Sequence, residues 1–113
     1  MKTLYIAGPM RTYKCMNFPQ FFYFQVLFEK SGYKVINPAE LDCERWFNDG
    51  WVYTDDQYNE ILEADCKIIR EQVDVLFVLT GWEDSEGACR EIAEAHKKGI
   101  LVTYQDIVTE KSK

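Results

Sequence analysis

Histidine occurs once in the 113 residues, at position 96. That leaves no histidine pair at metal-ligand spacing. The four cysteines, Cys15, Cys43, Cys66 and Cys89, form no C-x-x-C pair, so the usual zinc ligand sets are missing. No apolar run approaches the ~18 residues that a membrane-spanning helix requires. Met1-Lys2-Thr3 leads directly into a strand-like run, so no secretory leader is expected. The cysteines are then expected to be free thiols in a reducing compartment. Neither G-x-x-x-x-G-K-[ST] nor G-x-G-x-x-G occurs, which sets aside the Walker and dinucleotide-binding loops. Positive charge is also scarce: 13 Lys and Arg stand against 19 Asp and Glu, a net charge of −6. A nucleic-acid polymer, whose binding depends on displacing counterions from its phosphates, is therefore not the expected partner. One small phosphate is still allowed, because backbone amides and a single arginine can hold it. The sequence shows no repeat and no low-complexity tract.

The chain does have enough apolar content, 47%, for an ordinary globular core, and its length suits one domain spanning 1–113. Apolar runs at 3–7, 33–36, 73–79 and 100–104 read as strands. Phe21, Phe24, Leu27 and Phe28 recur at helical spacing within 18–31, which Ser31-Gly32 closes. Tyr58, Ile61, Leu62, Ala64, Ile68 and Ile69 give a second helix to about Arg70, with Asp55 or Asp56 as its cap. Ser85 opens a third helix that runs to about Lys98 and is closed by Gly99. The connection 38–56 is long for a compact domain and suggests a lid or an interface, with Trp46 and Trp51 inside it and a helical turn near 44–47. The tail 105–113 is polar.

Strands alternating with helices predict an α/β domain of the Rossmann-like or flavodoxin-like kind. The expected sheet is parallel, of four to five strands in the order 2-1-3-4, with helices on both faces. The order of such a sheet reverses between its first and third strands, and ligands bind outside their carboxyl ends. The loops leaving those strands are Gly8–Arg11 and Gly81–Gly87.

Both loops carry candidate chemistry. Gly8 at the end of a strand frees the backbone for a ligand, Pro9 contributes no amide, and Arg11 offers a planar fork for phosphate. In the second loop Ser85 stands at a helix start, where free amides and the helix dipole favour an anion. Gly87 permits close approach of a ligand. An ordinary N-cap followed by a permissive glycine explains the segment equally well. Trp82 suits either stacking on a base or packing on the sheet edge. Glu91 borders the apolar stripe Ala88, Ile92, Ala95 less than two turns from the helix start. That places it under the crevice as a nucleophile or base, or on the solvated flank paired with Lys97 or Arg90. Glu94 and His96 read as surface, Asp74 as structural, and Met16, Phe18 and Pro19 as packing.

Taken together, Tyr5-Ile6-Ala7-Gly8-Pro9-Met10-Arg11, Asp65, Asp74-Val75-Leu76-Phe77-Val78-Leu79, Gly81-Trp82 and Ser85-x-Gly87-Ala88-x-x-Glu91-x-x-x-Ala95 resemble the nucleoside 2-deoxyribosyltransferase-like superfamily. Within it the chain looks closest to small phage and bacterial domains of unassigned function. The resemblance implies chemistry at the N-glycosidic bond of a (deoxy)nucleotide. Glu91 would attack the anomeric carbon, with the logic of a retaining glycosidase, and Asp65 would assist the departing base. Tyr5 would line the sugar site, although a core tyrosine on a strand is the equally simple reading. Ser85 with Arg11 would contact a 5′-phosphate, and Gly8, Pro9, Met10, Gly81, Trp82 and Gly87 would complete the substrate site. The resemblance implies no metal or organic cofactor. It implies a homodimer or larger homo-oligomer acting on a small nucleotide or nucleoside, away from membranes, in a bacterial or phage-infected cytosol. The alternative is a protein that binds a nucleotide in the same pocket without turning it over.

Overall fold

The computed structural model describes residues 1–10, 13–40, 42 and 54–105. Its strands are β1 (Thr3–Ala7), β2 (Lys34–Ile36), β3 (Val75–Val78) and β4 (Leu101–Tyr104). They form one four-stranded sheet in the order β2-β1-β3-β4, and every pairing is parallel. The helices are α1 (Phe18–Lys30), α2 (Asp55–Gln72) and α3 (Glu86–Lys98), with short 3-10 turns at Lys14–Asn17 and Trp82–Asp84. The expected α/β architecture and strand order are therefore those of the molecule. Among the described residues, no helix is long and apolar enough to cross a membrane. The expected turn near 44–47, Trp46, Trp51 and Cys43 lie outside the described residues, as does the tail after Gln105.

The alternation of side chains along the two central strands divides the core in two. Leu4 and Ile6 of β1 and Val75 and Phe77 of β3 face α1 and pack around Phe21. The Phe77 ring lies 4.9 Å from that of Phe24 and 4.8 Å from that of Phe28. Tyr5 and Ala7 of β1 and Leu76 and Val78 of β3 point the other way, onto Ile69, Val73, Ile92 and Ala95 of the α2–α3 side. Both central strands are covered on both faces, which is why their sequences run apolar without alternation. The edge strands β2 and β4 are only partly covered, and Leu101 is exposed.

Several element ends differ from expectation for local reasons. Thr54 caps α2, rather than Asp55 or Asp56. Its hydroxyl accepts from the Gln57 amide and the Gln57 side chain accepts from the Thr54 amide, a reciprocal capping box. The two aspartates sit in the first turn, where they complement the helix dipole. β3 begins at Val75 rather than Val73, because Val73 is already the C-cap of α2. The Asp74 carboxylate takes the Thr3 amide at 2.9 Å, which makes it structural, as expected. Ala64 is exposed, and Cys66 occupies the buried stripe of α2 beside Leu62 and Ile69. On α1, Leu27 turns out to solvent with Tyr23 and Val26. Glu94 is tied to Arg70 across the α2–α3 seam, where Arg70 also reaches Glu63 at 3.4 Å.

Gly8 sits where β1 and β3 end together. The Leu79 amide donates to the Ala7 carbonyl at 2.8 Å, extending the ladder by one rung. A Cβ on Gly8 would stand 2.7 Å from the Leu79 Cβ. The glycine is therefore required by packing against the neighbouring strand, not only by openness to a ligand as the sequence suggested. Both atoms are fixed to backbone, so the Gly8→Ala variant is expected to lose about 1–3 kcal/mol of stability, read as a lower denaturant midpoint. An unchanged midpoint would contradict this packing.

Candidate functional site

The carboxyl ends of β1 and β3 open into a cavity of about 280 Å³. Its walls come from four segments that are distant in sequence. Gly8, Pro9 and Met10 supply one side, and Asp84 to Ala88 at the start of α3 supply another. Pro38 and Asp42, after β2, close a third. α2 contributes Tyr58, Ile61, Leu62 and Asp65, the i, i+3, i+4, i+7 stripe of one helix face.

The first loop is held by an unusual turn. Cys15, Met16 and Asn17 have φ of +53°, +56° and +59° in succession, the left-handed region that costs non-glycine residues roughly 1–2 kcal/mol each. Two anchors hold them there. Met16 and Phe18 are buried in the α1-side core. The Asn17 amide nitrogen donates to the Pro9 carbonyl at 2.9 Å, and asparagine tolerates left-handed backbone better than most residues. The Tyr13 amide donates to the Met10 carbonyl at 3.1 Å.

Glu91 lies on the floor. It is 6% exposed, although it is a carboxylate on a helix, so pairing with Lys97 or Arg90 on the solvated flank is overturned. Arg90 faces Glu63 instead, at 3.9 Å. The face of β1 that carries Tyr5 is the face that α3 covers, and the two side chains meet. The Tyr5 hydroxyl donates to Glu91 Oε2 at 2.5 Å. Tyr5 is fully buried and does not border the cavity. Glu91 does border it. Among the described residues no buried side-chain oxygen or nitrogen lacks a partner.

Burial pushes the Glu91 carboxyl up to about 8 from an ordinary 4.5. The charges of Asp65 and Asp42 add to the rise, and the Tyr5 hydrogen bond opposes it without cancelling it. Burial, with the Glu91 charge next, holds the Tyr5 hydroxyl well above its usual range. It therefore remains a phenol and a donor. Burial also pushes the Cys66 thiol up to about 11, so Cys66 is not a nucleophile at neutral pH.

The structure gathers Gly8, Pro9, Met10, Asp65, Ser85, Gly87 and Glu91 around one cavity. Ser85 is the N-cap of α3, and its oxygen accepts from the Ala88 amide at 3.2 Å. At Gly87 the space for a side chain is taken by α2, since a Cβ would stand 2.8 Å from Tyr58 Oη and 3.1 Å from Leu62 Cδ2. This glycine lets two helices close on each other while it borders the cavity. Gly81 and Trp82 do not border the cavity. A Cβ on Gly81 would meet the Tyr13 hydroxyl, and the Trp82 ring packs 5.4 Å from that of Tyr104, on the sheet edge. Arg11 lies outside the described residues. Sequence reasoning missed Tyr13, Asp42 and Tyr58. Tyr58 was within reach, because its stripe continues through Ile61 and Leu62 to Asp65. Asp42, buried in the long connection, carries no local signal. Among the described residues, no group of three or more His, Cys, Asp or Glu is arranged to hold a metal ion.

The model for a domain of unknown function (DUF4406) matches residues 2–104. A comparison with curated proteins finds no match.

The raised Glu91 carboxyl has a signature in stability. The folded state binds this proton more tightly than the unfolded chain does. Its contribution is therefore complete below about pH 4.5 and is lost as pH rises through about 8. Glu91→Gln keeps an oxygen for Tyr5 and removes the ionisation. It is expected to melt near wild type at pH 4.5 and at least about 5 °C above it at pH 8.5. Parallel melting curves across that range would contradict the burial of an ionisable Glu91.

Proposed function

The chain belongs to the DUF4406 family, and we propose that its site works on the N-glycosidic bond of a (deoxy)nucleotide or nucleoside, with Glu91 as the nucleophile. One observation carries this reading. A carboxylate is buried on the floor of a cavity and gripped at one oxygen by a buried tyrosine. Packing alone gives no reason for that pair, because burying a carboxyl costs stability that an apolar residue would not.

Tyr5 fixes one Glu91 oxygen and leaves the other to attack the anomeric carbon. The new C1′–O bond forms as the C1′–N bond breaks, and its electron pair leaves with the base. Asp65, which also borders the cavity, gives the departing nitrogen a proton. Water or a second base then attacks C1′ and releases Glu91, as in retaining glycosidases. The motif resemblance supports the same roles for Glu91 and Asp65, and supports contact of Ser85 and Arg11 with a 5′-phosphate where the substrate carries one. On this reading the protein works in a bacterial or phage-infected cytosol. It assembles as a homodimer or larger, a state that the exposed Tyr23, Val26 and Leu27 of α1 would help to stabilise.

A second reading rests on the protonation of Glu91. A carboxyl raised to about 8 is mostly a neutral acid at pH 7. A neutral acid donates hydrogen bonds and does not attack carbon, which favours a module that binds a nucleotide without turnover.

Incubation with ribo- and deoxyribonucleotides and their nucleosides, following free base by chromatography, separates the two. The enzyme reading expects release that falls about 10³-fold or more in Glu91→Gln, and about 10²- to 10⁴-fold in Asp65→Asn for bases that need a proton. Release that survives Glu91→Gln ends the enzyme reading. Saturable binding with no base released establishes the second one.

A further inference from the structure

The acids that border the cavity come from three separate segments. Asp42 follows β2, Asp65 is on α2, and Asp84, Glu86 and Glu91 flank or belong to α3. Among the described residues no lysine, arginine or histidine borders it. Asp65 and Asp42 both disfavour the charged form of Glu91, so the field at the floor is negative. The anion-binding potential at the start of α3 is also partly used. Ser85 already caps an amide there, and Asp84 and Glu86 stand on either side of it.

We propose that this site selects an N-glycoside whose base carries a positive charge, an N-ribosyl pyridinium or an N-alkylated purine nucleoside, over its neutral counterpart. The proposal rests on the N-glycosidic reading above for its chemistry, but not for its binding. A cation in a narrow cleft walled by carboxylates is attracted far more strongly than in water. Tyr13 and Tyr58, both bordering the cavity, are aromatic side chains of the kind that attract a cationic ring. The cation also offsets the charges of Asp65 and Asp42, which add to the burial that keeps Glu91 protonated, so ligand binding and ionisation of the nucleophile favour each other. The departure step is simpler as well. As the Glu91 O–C1′ bond forms, the C1′–N pair passes to the positively charged nitrogen, and the base leaves neutral without needing a proton. Asp65 is then free to take the proton of the water that attacks C1′ and breaks the Glu91 ester.

The test compares ligands of nearly the same shape and different charge. Affinities of the full chain for nicotinamide riboside and its uncharged dihydro form, and for 7-methylguanosine and guanosine, are measured by calorimetry, each with and without a 5′-phosphate. Base release is followed in the same samples. The expected result is at least about tenfold tighter binding of the cation in one pair or both, with and without the phosphate. The preference should shrink at high salt and in Asp84→Asn/Glu86→Gln. Equal affinity within both pairs, or no binding of any member, overturns the proposal. Selective binding of the cation without base release keeps it and ends the enzyme reading. Glu91-dependent cleavage of neutral nucleotides with no preference for the cation does the reverse.

Discussion

A single hydrogen bond, from the buried Tyr5 hydroxyl to the buried Glu91 carboxylate, joins the middle of the sheet to the helix that covers it. Most of the architecture serves to make this bond possible. β1 must lie beside β3 for its Tyr5 face to meet α3. Ser85 must start α3 so that Glu91 falls in its second turn, on the floor of the crevice. Gly87 must lack a side chain so that α2 can close over the same spot and bring Asp65 and Tyr58 to the rim. A carboxyl held this way is expensive to ionise, and its neighbours make it more so. The group that is costly for the fold is the one with chemical potential, a recurring relation between strain and function.

The fold was largely legible because its signals are local and redundant. The apolar central strands, the stripe of α3 and the caps at Ser85 and Gly99 each point to one element, and their alternation leaves few topologies. From the topology came the location of the crevice, and from the crevice came Glu91. Other features depended on contacts that no local pattern encodes. Gly8 and Gly87 read as openings for a ligand, and both border the cavity, but the sequence does not show that Leu79 and Tyr58 also crowd the space a side chain would need there. Trp82 left both choices open in the sequence, and Tyr104, more than twenty positions later, decides it. Asp42 is an acid inside a long connection, with nothing nearby in sequence to suggest that it is buried. The left-handed run Cys15–Asn17 is equally silent, because none of its residues is glycine. It follows from what holds its ends: two side chains in the core and an amide on the Pro9 carbonyl.

The two faces of the sheet are treated unequally. α2 and α3 share one face and are laced across their seam by the pairs Arg70–Glu94 and Arg90–Glu63. α1 covers the other, with Met16 and Ala39 packed into the same core. The site belongs to the first face. Its floor is β1 and α3, its roof is α2, and its charge is negative on several sides. A fold of this type has no fixed chemistry. What distinguishes this one is the placement of carboxylates around a buried tyrosine–glutamate pair.

The state of that pair is the centre of the account, and carbon-13 NMR reads it directly from the side-chain carboxyl of Glu91 as pH is varied. The account predicts titration near pH 8, moving higher in Tyr5→Phe, because the phenol favours the charged form. Titration near the ordinary value, or a midpoint indifferent to Tyr5, would contradict it.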